Sequence, residues 1–327
     1  MIMIPQVSIL VPIYNVSPFI ERCAHSLFCQ TFQDIEYVFV NDCTPDDSME
    51  KLQKAIEQYP QRKKQIKIIN NSQNYGIGKT RNILIDNASG KYLLFVDSDD
   101  YITSNMVELL FNKAEETQAD ITVCDFFEEQ NNATKIVVDV VSEDMDKNRC
   151  NIIASIKSHT CLWNKLIKRD LYNHCERFPE GLNYGEDRYI ITQLYFLATK
   201  IAKVDKPLYH YIKYNTVSIT AKSRNRKHFE NVLQSWNLLG KFLEKQNADD
   251  KYKELIDFSK VQHKASLMID TNSYSLRKEY ANMFYEEETK YFPQIKRGKW
   301  IITFLVRHRL FALAQVYHWG VWLVNRF

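Results

Sequence analysis

The chain has 327 residues, 45% hydrophobic and 25% charged, with a formal net charge of +3. This is the composition of a folded soluble protein of about two domains, and the small basic surplus supports no general affinity for nucleic acid. Seven scattered cysteines, odd in number and without a CxxC pair, argue against a disulfide framework or a zinc site and fit a reducing compartment.

The N-terminus, "MIMIPQVSILVPIYN", lacks the basic start and long apolar core of a signal peptide, so it reads as the first strand of a cytosolic domain. Val7 to Tyr14 is a near-continuous apolar run, as expected for a strand buried on both faces. Ser17 and Pro18 read as an N-cap and first helical residue of a helix to about Gln30. Strands follow at Ile35 to Asp42, Ile66 to Asn70, Lys91 to Asp97 and Asp120 to Phe127. Between them, "PDDSMEKLQKAIEQY", "GIGKTRNILIDNA" and "SNMVELLFNKAEET" have helical spacing. The alternation predicts βαβ units and a largely parallel sheet, whose ligands sit beyond the carboxyl ends of the strands. Pro12 to Asn15, Asn41 and Asp42, the loop around Asn74 to Gly78, and Asp97 to Asp100 should therefore converge.

"YLLFVDSDDY" puts Asp97, Asp99 and Asp100 directly behind a buried strand, where like charges repel. Neither GxGxxG nor GxxxxGK[ST] occurs, so a nucleotide would not be held as in the dinucleotide-binding or P-loop folds. Carboxylates one residue apart suit a divalent cation, with a diphosphate completing its shell. Alternatively, Asp99 or Asp100 caps a helix beginning near Ser104.

"VSILVPIYN", "YVFVNDCTPDDS", "NYGIGKTRN", "FVDSDD", "WNKLIKRDLY", "FPEGLNYGEDRYI" and "LYHYIKYNTVSIT" occur in the order seen in the family 2 glycosyltransferases, over roughly residues 5 to 220. The chain resembles that family, with Ser17 where a Glu is usual and Cys43 where the Asp-Gly-Ser turn has glycine. The resemblance implies an α/β GT-A fold, Rossmann-like, with a mostly parallel sheet flanked by helices. It implies an inverting, metal-dependent transferase moving a sugar from a nucleotide-diphosphate donor, a UDP-sugar in the first instance, to a glycan or lipid-linked acceptor. The family's processive synthases carry a Gln-x-x-Arg-Trp motif and membrane spans, neither of which is found here, so non-processive transfer of one sugar or a few is expected. Pro12, Tyr14 and Asn15 would border the base, Asp42 would accept from it, and Arg81 would line the donor site. Asp97 and Asp99 would form the DxD that holds Mn²⁺ or Mg²⁺.

An acceptor hydroxyl needs a base separate from the metal carboxylates. The family's base matches Asp187 in "YGEDRY", with Glu186 orienting the loop or acceptor. Acidic residues also favour a helix's first turn, so either could simply be a cap. Trp163 could stack on a sugar or lie in the core, and His210 and Lys213 could approach the diphosphate or pack. Two other classes are a nucleotidyltransferase, for which "VPIYNVSPF" offers no basic triphosphate loop, and an inactive sugar-nucleotide-binding protein.

Beyond about Thr220 the strand pattern stops, giving domains 1–220 and 221–327. "HFENVLQSWNLLGKFLEKQ", "YKELIDFSKVQHKASLMID" and "EYANMFYEEETKYF" have helical spacing. From Lys296 to Phe327 there are six Lys or Arg and no acid. The uncharged stretch Leu310 to Asn325 falls short of the ~18 residues of a spanning helix. With Trp300, Trp319 and Trp322 it predicts a helix resting on the inner leaflet, or one packed on the protein or in a homodimer seam.

Overall fold

A computed structural model of the chain describes residues 4–130, 133–155, 157–215, 226–271, 274–291, 293, 297–314 and 316–317. The chain divides into two compact units, Met1–Ile152 with Ile156–Ala221, and Ile153–Ser155 with Lys222–Phe327.

The first unit is built on a nine-stranded sheet. Strands β1 (Val7–Ile13), β2 (Ile35–Asn41), β3 (Ile66–Asn70) and β4 (Tyr92–Phe95) are separated by helices α1 (Ile20–Phe28), α2 (Ser48–Glu57) and α3 (Ile77–Asn87). They pair in parallel in the order β3-β2-β1-β4, with Val7 opposite both Ile35 and Tyr92. Every residue of β1 and β4 is buried, which accounts for their unbroken apolar character. Next come β5 (Tyr101–Ile102), α4 (Met106–Thr117), β6 (Ile121–Gln130), β7 (Ala133–Val137), α5 (Met145–Ala154), β8 (Lys165–Lys168), α6 (Arg169–His174), α7 (Glu186–Leu197) and β9 (Ile201–Ile212). Strand β8 enters antiparallel between β4 and β6, and β9 runs parallel to β6. The core gathers Ile9, Val11, Phe28, Phe39, Leu94 and Leu110.

Two helix starts differ from expectation. Helix α1 begins at Ile20, after a turn over Ser17–Phe19. Ser17 does not cap it: the Ser17 hydroxyl donates to Asp47 and its N–H to Asp46 Oδ2 at 2.8 Å. Helix α4 begins at Met106, and neither Asp99 nor Asp100 caps it.

The second unit contains α8 (Arg226–Lys245), α9 (Asp250–Asp270), α10 (Tyr274–Tyr280), α11 (Tyr285–Tyr291) and α12 (Arg297–Arg307). Its core includes Val261, Ala265, Met268, Tyr280, Ile302 and Val306. The helix expected over 279–292 is broken at Ala281–Phe284, where Phe284 has φ 46°. There Lys264 Nζ donates to the carbonyls of Ala281 (3.3 Å) and Met283 (2.8 Å) and pairs with buried Glu288 at 2.6 Å.

Candidate active site

Strand β4 delivers the acidic run. Asp100 turns inward: Tyr209 donates to its Oδ2 at 2.6 Å and the Ile212 N–H to its Oδ1 at 2.8 Å. Burial first, then Asp99 and Asp97, push its carboxyl well up. Asp97 and Asp99 are only half-buried. Asn215 donates to Asp99 Oδ2 at 2.8 Å, and burial, then Asp97, push the Asp99 carboxyl up to about 6. Arg22 of α1 lies 4.4 Å over the Tyr101 ring and donates to Tyr214 Oη at 2.9 Å and the Asp99 carbonyl at 3.5 Å.

Helix α3 supplies the cation between the two acidic motifs. The Arg81 side chain is 4% exposed and sits on the rings of Phe95 and Phe178. Its Nη1 donates to Glu186 Oε1 at 2.8 Å and to Asp187 Oδ1, and its Nη2 reaches Asp97 Oδ1 at 3.4 Å. Burial alone would lower the guanidinium's pKa, but Asp187, Glu186 and Asp97 outweigh it and raise it. One cation cannot neutralise three carboxylates. Asp187, at the first turn of α7, is accordingly held well above the ordinary range by burial, with Arg81 opposing and Glu186 and Asp97 adding to the rise. Asp187 and Asp97 both keep solvent contact.

Helix α3 is seated on the 178–183 segment that leads into α7. Asn82 and Phe178 exchange two hydrogen bonds of 2.9 and 3.0 Å, and Lys79 pairs with Glu180 at 2.7 Å. A Cβ on Gly78 would lie 2.7 Å from the Pro179 carbonyl oxygen, and one on Gly76 (φ 84°) 2.8 Å from Asn183 Oδ1. The "NYGIGKTRN" signal thus marks close backbone approach.

Asp42 takes part in a separate set of bonds. It is buried and accepts from Asn71 Nδ2 (2.8 Å) and the N–H groups of Tyr75 and Gly76 (both 2.9 Å), so it ties β2 to the loop after β3. One of its roughly four lone-pair sites remains. Pro12 is the penultimate residue of β1, Tyr14 is exposed, and Asn15 takes φ 54° with its N–H on Thr44 Oγ1 at 2.8 Å. Trp163 is a core residue, stacked on Tyr209 at 4.2 Å. His210 is sandwiched between Tyr101 and Phe127 and bonded to Glu129 at 2.7 Å, and Lys213 pairs with Glu128. Sequence reasoning missed Asn82, Arg22, Tyr209 and Asn215. All but Arg22 stand in motifs already singled out, and only the first had a local signal, its place beside Arg81.

Among the described residues no three His, Cys, Asp or Glu side chains converge on a metal position. Two repelling carboxylates still fit a cation that arrives with its own oxygen ligands, since Mg²⁺ and Mn²⁺ complete their shells with phosphates and waters.

The glycosyl transferase family 2 profile matches residues 8–175. The putative glycosyltransferase EpsH of Bacillus subtilis is 30% identical over 273 residues, 81% of this chain and 77% of that protein. The uncharacterized glycosyltransferase EpsJ of the same organism is 35% identical over 216 residues, 64% of this chain but 61% of its own length. Staphylococcus aureus TarS 1–349, solved with UDP-GlcNAc, superposes with a TM-score of 0.71 at 19% identity, covering 97% and 91% of the two chains. The mannosyltransferase PcManGT of Pyrobaculum calidifontis, solved with GDP-Man and Mn²⁺, superposes at 0.56 with 13% identity, covering 100% and 88%. An α/β GT-A domain, with the matched profile over half its length, makes this chain a member of glycosyl transferase family 2.

Proposed function

We propose that the chain transfers a single sugar, with inversion, from a nucleotide-diphosphate donor to a hydroxyl of a glycan or lipid-linked saccharide in cell-surface polysaccharide assembly. The observation that carries this reading is the Arg81 bridge between the DxD carboxylate Asp97 and the Glu186–Asp187 pair. It supports the reading because it brings Asp97, proposed for the diphosphate's metal, beside Asp187, proposed as the base. A poly(ribitol-phosphate) beta-glucosyltransferase among the relatives and a mannosyltransferase among the structural neighbours support sugar transfer as the reaction class.

Asp97 and Asp99 would hold Mn²⁺ or Mg²⁺, which when bound neutralises charge on the departing diphosphate. Asp187 takes the acceptor proton as the acceptor oxygen bonds to the anomeric carbon and the bond to the β-phosphate oxygen breaks. A carboxyl raised above its usual range is a better match to a proton transfer near neutral pH. Arg81 and Glu186 keep that carboxylate in place. Pro12, Tyr14, Asn15 and Asp42 border the base, with UDP the favoured nucleotide. The first domain, 1–220, carries this chemistry, and the reaction takes place on the cytoplasmic side.

The test is a panel of UDP- and GDP-sugars with Mn²⁺. Wild type should release nucleoside diphosphate slowly without acceptor. Asp99→Ala should lose metal-dependent donor binding. Asp187→Asn should bind donor normally and lose about 10²–10⁴-fold in transfer. Pyrophosphate release from a nucleoside triphosphate would instead establish a nucleotidyltransferase, and near-normal transfer by Asp187→Asn would remove that residue as the base.

A further inference from the structure

The second unit carries an apolar surface that its own core does not use. Helix α12 and the helical turn at 311–314 already bury Ile302, Val306, Phe311 and Ala314 in the core that includes α9 residues Val261, Ala265 and Met268. A helix that only had to pack would be polar on its remaining arc. Here apolar side chains are exposed as well: Trp300 (39%) and Ile301 (41%) on α12, and beyond its end Leu310 (42%), Leu313 (55%) and Val316 (62%). Trp300 and Phe304 stack one turn apart, centroids 5.2 Å. The charged residues from 297 to 317 are Arg297, Lys299, Arg307 and Arg309, and no Asp or Glu interrupts them.

We infer that these exposed apolar side chains, on a stretch without Asp or Glu from 297 to 317, form a docking surface for an anionic lipid bilayer, with α12 lying in the plane of the interface. Charge selects the occupant. A second copy seated face to face would bring the same cations together. Anionic headgroups carry the opposite sign and attract Lys and Arg near the surface. Length selects the mode. The eleven residues of α12 rise about 16 Å at roughly 1.5 Å each, about half of the ~30 Å hydrocarbon layer. No helix among the described residues is long and apolar enough to cross a membrane. The indole of Trp300 suits the interface, where its N–H stays near water. Residues 318–327, including Trp319 and Trp322, lie outside the described residues.

The purpose of such docking rests on the lipid-linked acceptor proposed above, so binding and chemistry are measured separately. The full-length chain is floated with phosphatidylcholine vesicles, with and without phosphatidylserine, and its donor hydrolysis is followed without vesicles. The chain should float only with the anionic vesicles, and less so as salt rises. Arg309→Gln should weaken vesicle binding about fivefold. Leu313→Glu with Val316→Glu should abolish flotation and leave hydrolysis and thermal melting unchanged. Failure of the wild type to float on anionic vesicles overturns the inference, whether the face is covered by 318–327 or by a second copy; sedimentation of the wild type as a dimer that the double variant dissolves identifies the latter. Flotation that the double variant retains overturns it too. Flotation without any donor hydrolysis leaves the docking surface standing and removes the catalytic reading instead.

Discussion

A guanidinium offers five N–H donors in a rigid plane, and Arg81 directs its terminal ones at three carboxylates from two distant segments. Its removal strands buried anions. Arg81→Met should therefore cost about 3–5 kcal/mol at neutral pH. The sign of the pH dependence follows from Asp187, whose folded-state carboxyl is already raised and would rise further without the cation. An acid whose pKa is higher folded than unfolded destabilises the fold as pH rises from the unfolded value toward the folded one. The gap between variant and wild type should thus be large at pH 8 and shrink toward pH 4. Urea unfolding at several pH values measures it, and a gap that stays constant would show that Asp187 is not charged beside Arg81. At this scale the sequence was legible where a residue type is chemically unusual in its place. Aspartates behind a buried strand stand out in "FVDSDD". The Arg81–Glu186 contact spans 105 positions, and no local pattern encodes it. Cys43 shows the converse. Its φ of 56° explains why the family's turn has glycine there, so the departure keeps the left-handed backbone and changes only the side chain.

At the scale of elements, α3 places Arg81 because glycine lets it approach the 178–183 segment. Gly78→Ala would drive a methyl into the Pro179 carbonyl, a backbone atom that cannot swing aside. The variant should lose about 1–3 kcal/mol and turn over more slowly, because α3 and the segment leading to Asp187 must separate. Initial rates and urea midpoints decide: normal turnover with reduced stability would mean that this seating supports the fold alone. Strands β1, β2 and β4 were readable as buried apolar runs, β3 was readable at Ile66–Asn70 although it is only partly buried, and β6 was readable over its buried first half. Strand β9 was not, since Asp205, Lys206 and Pro207 interrupt its pattern and its pairing with β6 shifts register between Cys124 and Phe126. Strand β8 is only four residues long, and its place between β4 and β6 is a tertiary fact. The break between α10 and α11 was hidden for a different reason. Helical periodicity continues across Ala281–Phe284, and the carbonyls freed there are satisfied by Lys264 from α9.

For the whole molecule, the change from alternating to purely helical spacing was readable because strand and helix periods differ. The order of the sheet was not, because β8 and β5 join it through partners distant in sequence. Each compact unit holds a core of its own, one around Ile9, Phe39 and Leu94 and one around Ala265, Ile302 and Val306. A ligand stabilises only what it binds in the folded state, by about 2.7 kcal/mol at a hundred times its dissociation constant. If UDP and Mn²⁺ bind at Asp97 and Asp99, the stabilised core is the first. For a unit of about 200 residues that is a shift of roughly 5–10 °C in melting temperature. Differential scanning calorimetry of the full chain should therefore show one transition moving up with UDP and Mn²⁺ together and a second staying in place. Asp99→Ala should remove the shift without removing either transition. Two transitions that move in step would mean that the cores unfold as one. No movement at all, with donor in large excess, would leave the acidic pair without its diphosphate.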